Sequence, residues 1–179
     1  EIISGGNFHG MPLAIAMDTL VIAVAHLAGI AERRTFWMLS AFDAESHLNP
    51  YLAAGQAGLS SGLMIAQYTA AACCNEIITL CTPASVSNIG TSAGMEDYNS
   101  FGPRAAAKAR NAIELAQNVV AIELLTAAEG IERHRPLRSG ERIEVAHARI
   151  RACVPPLLAD RPPAPDIAAI RELIASGGL

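Results

Sequence analysis

The chain has little aromatic content and little charge. Phe, Trp and Tyr make up 4% of its 179 residues, and Asp, Glu, Lys and Arg make up 17%, against about a quarter charged in an ordinary globular domain. Lys108 is the only lysine. With 13 basic and 17 acidic residues the formal charge is −4. That argues against a nucleic-acid partner, because neutralising phosphates needs a basic stripe. No G-x-x-x-x-G-K-[ST] phosphate loop and no G-x-S-x-G turn occurs, so neither a nucleotide site nor a Ser-His-Asp triad of that type is expected. His9, His26, His47, His134 and His147 have no H-x-x-x-H spacing, and no cysteine lies at ligand spacing from them; no metal site is expected. Cys73, Cys74, Cys81 and Cys153 form no C-x-x-C pair. They read as buried, reduced thiols in a reducing cytoplasm. The opening residues Glu1-Ile2-Ile3-Ser4-Gly5-Gly6 lack the basic start of a secretory leader, so none is expected.

What is present is apolar and small. Hydrophobic residues make up 51% of the chain and 34 residues are alanine. Disorder is excluded, since it needs low hydrophobicity and high net charge. Alanine is the best helix former and lets helix axes approach closely, so packed helices are expected. Only eight of the first eighty residues are charged, and Ser46 to Asn75 contains no Asp, Glu, Lys or Arg. Asn49, Pro50, Gly55, Gln56, Gly58, Ser60, Ser61, Gly62 and Gln67 interrupt that run, which argues against a membrane span there. Burial on all sides is the expectation, in an oligomer or a larger parent chain.

Periodicity predicts a first helix from about Pro12 to Leu39, with Leu13, Met17, Leu20, Val24, Leu27 and Ala31 at three- and four-residue steps. A loop follows over 41–58, then a second helix over about 60–80. Pro83 to Gly94 reads as a loop with a short helical turn. A third helix starts near Glu96 or Pro103 and runs to about Glu129, roughly 39 Å counted from Arg104, with Gly130 as its stop. Two shorter helices are expected over about 141–153 and 165–175. The chain thus divides into a charge-poor part, 1–130, and a charged tail, 131–179. The tail's Arg133, Arg135, Arg138, Arg142, Arg149 and Arg151 interleave with acids and read as a solvated surface.

Two loops carry the chemistry-bearing residues. In Ser4-Gly5-Gly6-Asn7-Phe8-His9-Gly10, paired glycines allow a tight bend beside an aromatic ring. The plain alternative is a turn that leads into a helix, with Phe8 anchored in the core. In Thr91-Ser92-Ala93-Gly94-Met95-Glu96-Asp97, two carboxylates end an uncharged stretch. The plain alternative there is helix capping.

These stretches, with Ala31-Glu32-Arg33-Arg34, Gly58-Leu59-Ser60-Ser61-Gly62-Leu63-Met64-Ile65-Ala66-Gln67, Pro83-Ala84-Ser85-Val86 and Thr91 through Gly102, resemble the histidine and aromatic amino-acid ammonia-lyases. The resemblance implies an all-α, long-helix bundle that assembles into a homotetramer. It implies a methylidene-imidazolone (MIO) prosthetic group and elimination of ammonia from an aromatic amino acid. Family members form MIO from an upstream Ala-Ser-Gly, absent here in that context. Ala175-Ser176-Gly177 has the letters only, in an end expected to fray. The resemblance therefore implies the C-terminal part of the enzyme, with the MIO segment, the lid tyrosine and the carboxylate-binding arginine on a separate N-terminal polypeptide, and no activity for this polypeptide alone.

Residue by residue, the resemblance implies that Phe8 packs near the prosthetic group and the substrate. It implies that Glu96 is the pocket position occupied by Glu in histidine lyases and by Gln in phenylalanine and tyrosine lyases. Met64 is an apolar residue near the pocket, and Ser92 and Met95 line the substrate end. Met95, Tyr98 and Asn99 depart from the usual histidine-lyase pattern. Histidine is the favoured substrate. An MIO-dependent aminomutase and a non-catalytic helical assembly protein remain as alternatives, and no membrane partner is expected.

Overall fold

The computed structural model describes all residues except Ser4, Asn7, Ala57 and Ser87. The protein is all-α. Five helices follow in order: α1 (Met11–Ser40), α2 (Met64–Leu80), α3 (Gly102–Arg133), α4 (Glu141–Cys153) and α5 (Ala164–Ala175), with short 3-10 turns at Ala44–Ser46, Pro50–Leu52 and Ser92–Gly94. Among the described residues no strand forms, and one isolated antiparallel bridge joins Thr91 and Glu96.

Two compact units divide the chain. One comprises Glu1–Leu27 and Asn75–Ala116; the other comprises Ala28–Cys74 and Gln117–Leu179. In the first, Ala14, Val21, Ile77, Ala105, Ala109 and Ala112 are buried, and alanine at these positions allows the close helix approach expected from the composition. In the second, larger side chains take over, with Leu39, Leu52, Ile122, Leu125 and Ile170 fully buried and α4 packed on α5.

α1 has the predicted period, but the buried stripe is Ala14, Asp18, Val21, Ala28, Ala31, Thr35 and Leu39. Leu13, Leu20 and Leu27, from the stripe that carried the sequence periodicity, are exposed, as are Ile15, Ile22, Ile30 and Trp37. α1 is apolar on both sides, and its most hydrophobic 18-residue window has a mean hydropathy of 2.0. By length and composition it is long and apolar enough to cross a membrane.

Two helix ends differ from the sequence reading. α2 begins at Met64, not near Ser60. The Ser60 hydroxyl and the Ser61 and Gly62 amides instead donate to the Asp160 carboxylate, at 2.7, 2.6 and 3.0 Å. Gly62 has φ +54°, and a Cβ there would fall on the Tyr51 carbonyl and within 2.9 Å of Ala53, so this approach requires glycine. α3 does not stop at Gly130 but continues to Arg133, which donates to the Leu52 carbonyl at 2.9 Å. Gly130 is buried, and a Cβ there would sit 3.8 Å from the Leu48 methyls. That is ordinary van der Waals contact, so Gly130 is a buried interior position of α3, not its stop. With 32 residues, α3 is about 48 Å long.

The tail is less solvated than its composition suggests. Arg151 is largely buried, with its guanidinium 2.9 Å from Glu129 and 3.1 Å from Glu132, and Glu129 also accepts the Leu157 amide at 3.1 Å. Arg135 forks onto Glu144 at 2.9 and 3.0 Å, and together with the Ser139 amide it holds the Glu144 carboxyl well below the usual range. Ala175-Ser176-Gly177 is an ordered helix end, not a frayed one. The Gly178 amide reaches back to Leu173 O and the Gly177 amide to Ile174 O, with Gly177 at φ +70°, a Schellman closure that accounts for the glycine. The four cysteines are free. They differ from the expected deep burial: Cys73, Cys74 and Cys81 are half-buried and Cys153 is exposed. Burial, followed by the Glu32 charge, pushes the Cys74 thiol up to about 11, which disfavours its thiolate form.

Candidate functional site

The loop before α1 and the loop before α3 meet within the first unit. Ser100 Oγ donates to the His9 carbonyl. His9 Nε2 lies 3.1 Å from Glu96 Oε2, and the Phe8 ring packs edge-on against the His9 imidazole, with centroids 5.1 Å apart. Ser4 and Asn7 of the same motif lie outside the described residues.

The 91–101 segment is built to present its side chains outward. Thr91 and Glu96 exchange both backbone hydrogen bonds, at 2.8 and 3.2 Å. Ser92, Ala93 and Gly94 turn between them at φ 52°, 53° and 87°. Only glycine adopts this region freely, so Ser92 and Ala93 are held there at about 1–3 kcal/mol each. Asn99 offsets that strain. Its amide N–H donates to Asn88 Oδ1 at 2.9 Å, and its side chain donates to Ile89 O and Thr91 Oγ1. Asn88 in turn donates to Asp97 O at 3.1 Å.

The loop carrying Pro83 and Ser85 is pinned from beneath. Asp18 of α1 accepts the Ser85 amide at 2.9 Å, and Lys108 of α3 donates to the Thr82 carbonyl and lies 3.7 Å from Asp18. Burial alone would raise the Asp18 carboxyl. Hydrogen bonds from Ser85 and Ala84, with the Lys108 charge, outweigh it and hold the group below its usual value.

Four of the five sequence-predicted site residues, Phe8, Ser92, Met95 and Glu96, thus belong to one loop cluster. Phe8 and Met95 are each 85% exposed, so Phe8 is not a core anchor. The first turn of α3 contains no acid, so Glu96 and Asp97 are not its caps. Met64 belongs to the second unit. There it lines a cavity of about 250 Å³ with Phe36, Leu39, Phe42, Tyr51, Gln67 and Tyr68. Gln67 donates to Glu32 at 2.6 Å, and Arg33 forks onto the same carboxylate at 2.6 and 2.8 Å. A second cavity, about 550 Å³, lies between Thr82, Pro83, Ile89, Phe101, Arg104 and Lys108 in the first unit, and none of the five lines it.

Sequence reasoning missed the roles of His9, Asn99, Asp18 and Asp160. His9 was visible within its motif, but nothing local says that it meets Glu96. Asn99 was visible only as a departure from pattern.

The sequence model of the aromatic amino acid lyase family matches residues 1–152. The chain is 49% identical over its whole length to a histidine ammonia-lyase of Anaeromyxobacter sp. (strain K), covering 35% of that protein. It is 45% identical to one from Deinococcus radiodurans, covering 33%. It therefore spans about a third of the length of the curated relatives it matches. Among solved structures, histidine ammonia-lyase from Trypanosoma cruzi superposes with a TM-score of 0.92 at 41% identity, over 99% of this chain and 34% of that one. Tyrosine aminomutase from Streptomyces globisporus superposes with 0.93 at 32% identity, over 99% and 34%. With that match and a fold shared along its length, the chain belongs to the aromatic amino acid lyase family.

Proposed function

We propose that this chain is the C-terminal portion of an ammonia-lyase that removes ammonia from an aromatic L-amino acid, histidine in preference, to give the unsaturated acid. The N-terminal portion of the enzyme supplies the MIO group and the remaining pocket residues, and the whole enzyme is a homotetramer. Histidine ammonia-lyases among the relatives support the reaction class. The exposed apolar faces of α1 and α2, including Leu13, Leu20, Leu27, Ile65 and Ile78, support burial against other polypeptide. On this reading α1 is covered by protein, not lipid. Its buried Asp18, which accepts the Ser85 amide and pairs with Lys108 at 3.7 Å inside the fold, supports that. The four free thiols support a reducing cytoplasm.

The observation that carries the reading is the cluster of Phe8, Met95 and Glu96. An exposed ring packed on His9, and an exposed thioether next to Glu96 in sequence, accompany a carboxylate whose side chain is 40% exposed. This donor set fits a flat, electrophilic heterocycle and an aromatic substrate. The ring of Phe8 would hold MIO by face or edge packing. When bound, MIO supplies the electrophilic carbon that makes the amino group a competent leaving group. The chain's own residues bind and orient. Glu96 accepts a hydrogen bond from the substrate's imidazole N–H and favours the cationic ring. Met95 contributes apolar wall and excludes water, and Ser92 offers a hydroxyl at the substrate end.

Glu96→Gln in the assembled enzyme tests the assignment. A charged hydrogen bond contributes about 1.5–3 kcal/mol, or about one to two decades in rate. The variant loses that much on histidine and much less on tyrosine. Unchanged kinetics on both would remove Glu96 from the site. An aminomutase, the reaction of the second structural neighbour described above, would return the ammonia to the substrate's β-carbon; product analysis separates the two.

A further inference from the structure

Glu96 has three rotatable side-chain bonds and stands on an exposed turn, so an isolated carboxylate there would sample many positions and lose entropy on binding. It is not isolated. His9 Nε2 reaches Glu96 Oε2 at 3.1 Å. His9 is itself fixed twice: its carbonyl accepts from Ser100 Oγ, and its ring is braced edge-on by Phe8 at 5.1 Å. The Gly102 amide donates to the same Ser100 Oγ at 3.1 Å, which holds that hydroxyl in place. The His9 ring is less open than the carboxylate it holds, with side-chain exposures of 30% and 40%.

We infer that His9 is a positioning residue for Glu96. Its Nε2 stands 3.1 Å from Oε2, which restricts the carboxylate's rotation and leaves Oε1 as the acceptor for the substrate's ring N–H. This rests on the lyase reading of the same loop cluster. It adds the device by which a carboxylate on a turn is held ready for a ring nitrogen. His9 does not touch the substrate. Its effect passes through Glu96 and is therefore specific to substrates whose ring offers an N–H in the plane. The strain at Ser92 and Ala93 fits this assignment, since it aims the following Glu96 back toward His9.

The test is a double-mutant cycle in the assembled enzyme, with His9→Leu, His9→Gln, Glu96→Gln and the His9→Leu/Glu96→Gln pair, on L-histidine and L-tyrosine. His9→Leu is expected to lower kcat/KM on histidine by about 10–100-fold, the worth of a charged hydrogen bond, and to leave tyrosine within about threefold. His9→Gln presents an N–H at similar reach and recovers most of the loss. In the Glu96→Gln background, His9→Leu adds less than about twofold, because the group it positions is gone. Equal losses on both substrates, or losses that add in the double variant, would overturn the inference and mark His9 as a loop brace. If His9→Leu does not assemble, His9→Asn reads the same coupling, since it is polar but too short to reach. A wild-type enzyme that releases no ammonia from either amino acid fails the lyase reading itself, before any variant is compared.

Discussion

The charged tail and the long apolar helices treat their surfaces in opposite ways. In the tail, among the described residues, four of the eight arginines pair with acids of the same chain: Arg135 and Arg138 with Glu144, Arg151 with Glu129 and Glu132, and Arg161 with Asp166. His147 lies 2.9 Å from Glu132 as well. α1 instead carries Leu13, Ile15, Leu20, Ile22, Leu27, Ile30 and Trp37 exposed along its length. Its buried acids, Asp18 and Glu32, are paired inside the fold with Lys108 and Arg33. The tail finds charge partners within this chain. The long helices satisfy their polar groups and leave their apolar ones open. On the proposed reading, covering polypeptide would therefore bring apolar surface and few new charge partners.

The largest effect is expected where a polar group is satisfied only from within. Lys108→Met strands the Asp18 carboxylate in the first unit, at a cost of about 3–5 kcal/mol, measurable by denaturant unfolding. Adding Asp18→Asn should recover a large part of it, because the uncompensated charge is then removed. A Lys108→Met variant as stable as the parent would mean that the long helices do not depend on internal pairing.

Phe8→Ala sharpens the other side of the comparison. A core phenylalanine loses about 3–5 kcal/mol on truncation. An 85% exposed ring should cost well under about 1 kcal/mol, the usual scale for surface changes, while turnover of the assembled enzyme falls. Unfolding with Phe8→Ala and full activity with Phe8→Leu would return Phe8 to a structural role.

The smallest effect concerns the tail's grip on α2. Asp160 is held below its ordinary carboxyl value of 3.8 by the Ser61 amide first, then by the Ser60 hydroxyl and the Gly62 amide. A lowered folded value means that the stabilisation is complete above the ordinary value and is lost as pH falls through the folded one. Thermal melts of Asp160→Asn and parent should therefore differ near neutrality and converge below about pH 4. A difference that grows with acidification would contradict the tie.

Much of the fold was legible because it is written in local patterns. The 3.6-residue period of α1, the prolines around α5 and the glycine–proline pair at the start of α3 each fix an element within a few residues. The sequence could not choose which apolar stripe of α1 faces this chain's own core, because both sides are apolar. Gly130 reads as a stop, yet α3 runs through it to Arg133, whose guanidinium is held by the Leu52 carbonyl, far away in sequence. The start of α2 depends on Asp160, equally distant. For the site, motif spacing marks Phe8, Met95 and Glu96. The His9–Glu96 pair and the Asn88–Asn99 brace arise only when two loops meet.

The proposed lyase activity is tested most directly by combining residues 1–179 with an N-terminal portion that bears the Ala-Ser-Gly segment. L-histidine and L-tyrosine are supplied separately, and ammonia and the ultraviolet-absorbing unsaturated acid are measured together. The account predicts equal amounts of the two products, faster from histidine, and none from either portion alone. Turnover by this chain without the other, or no ammonia from the combined material, would contradict it.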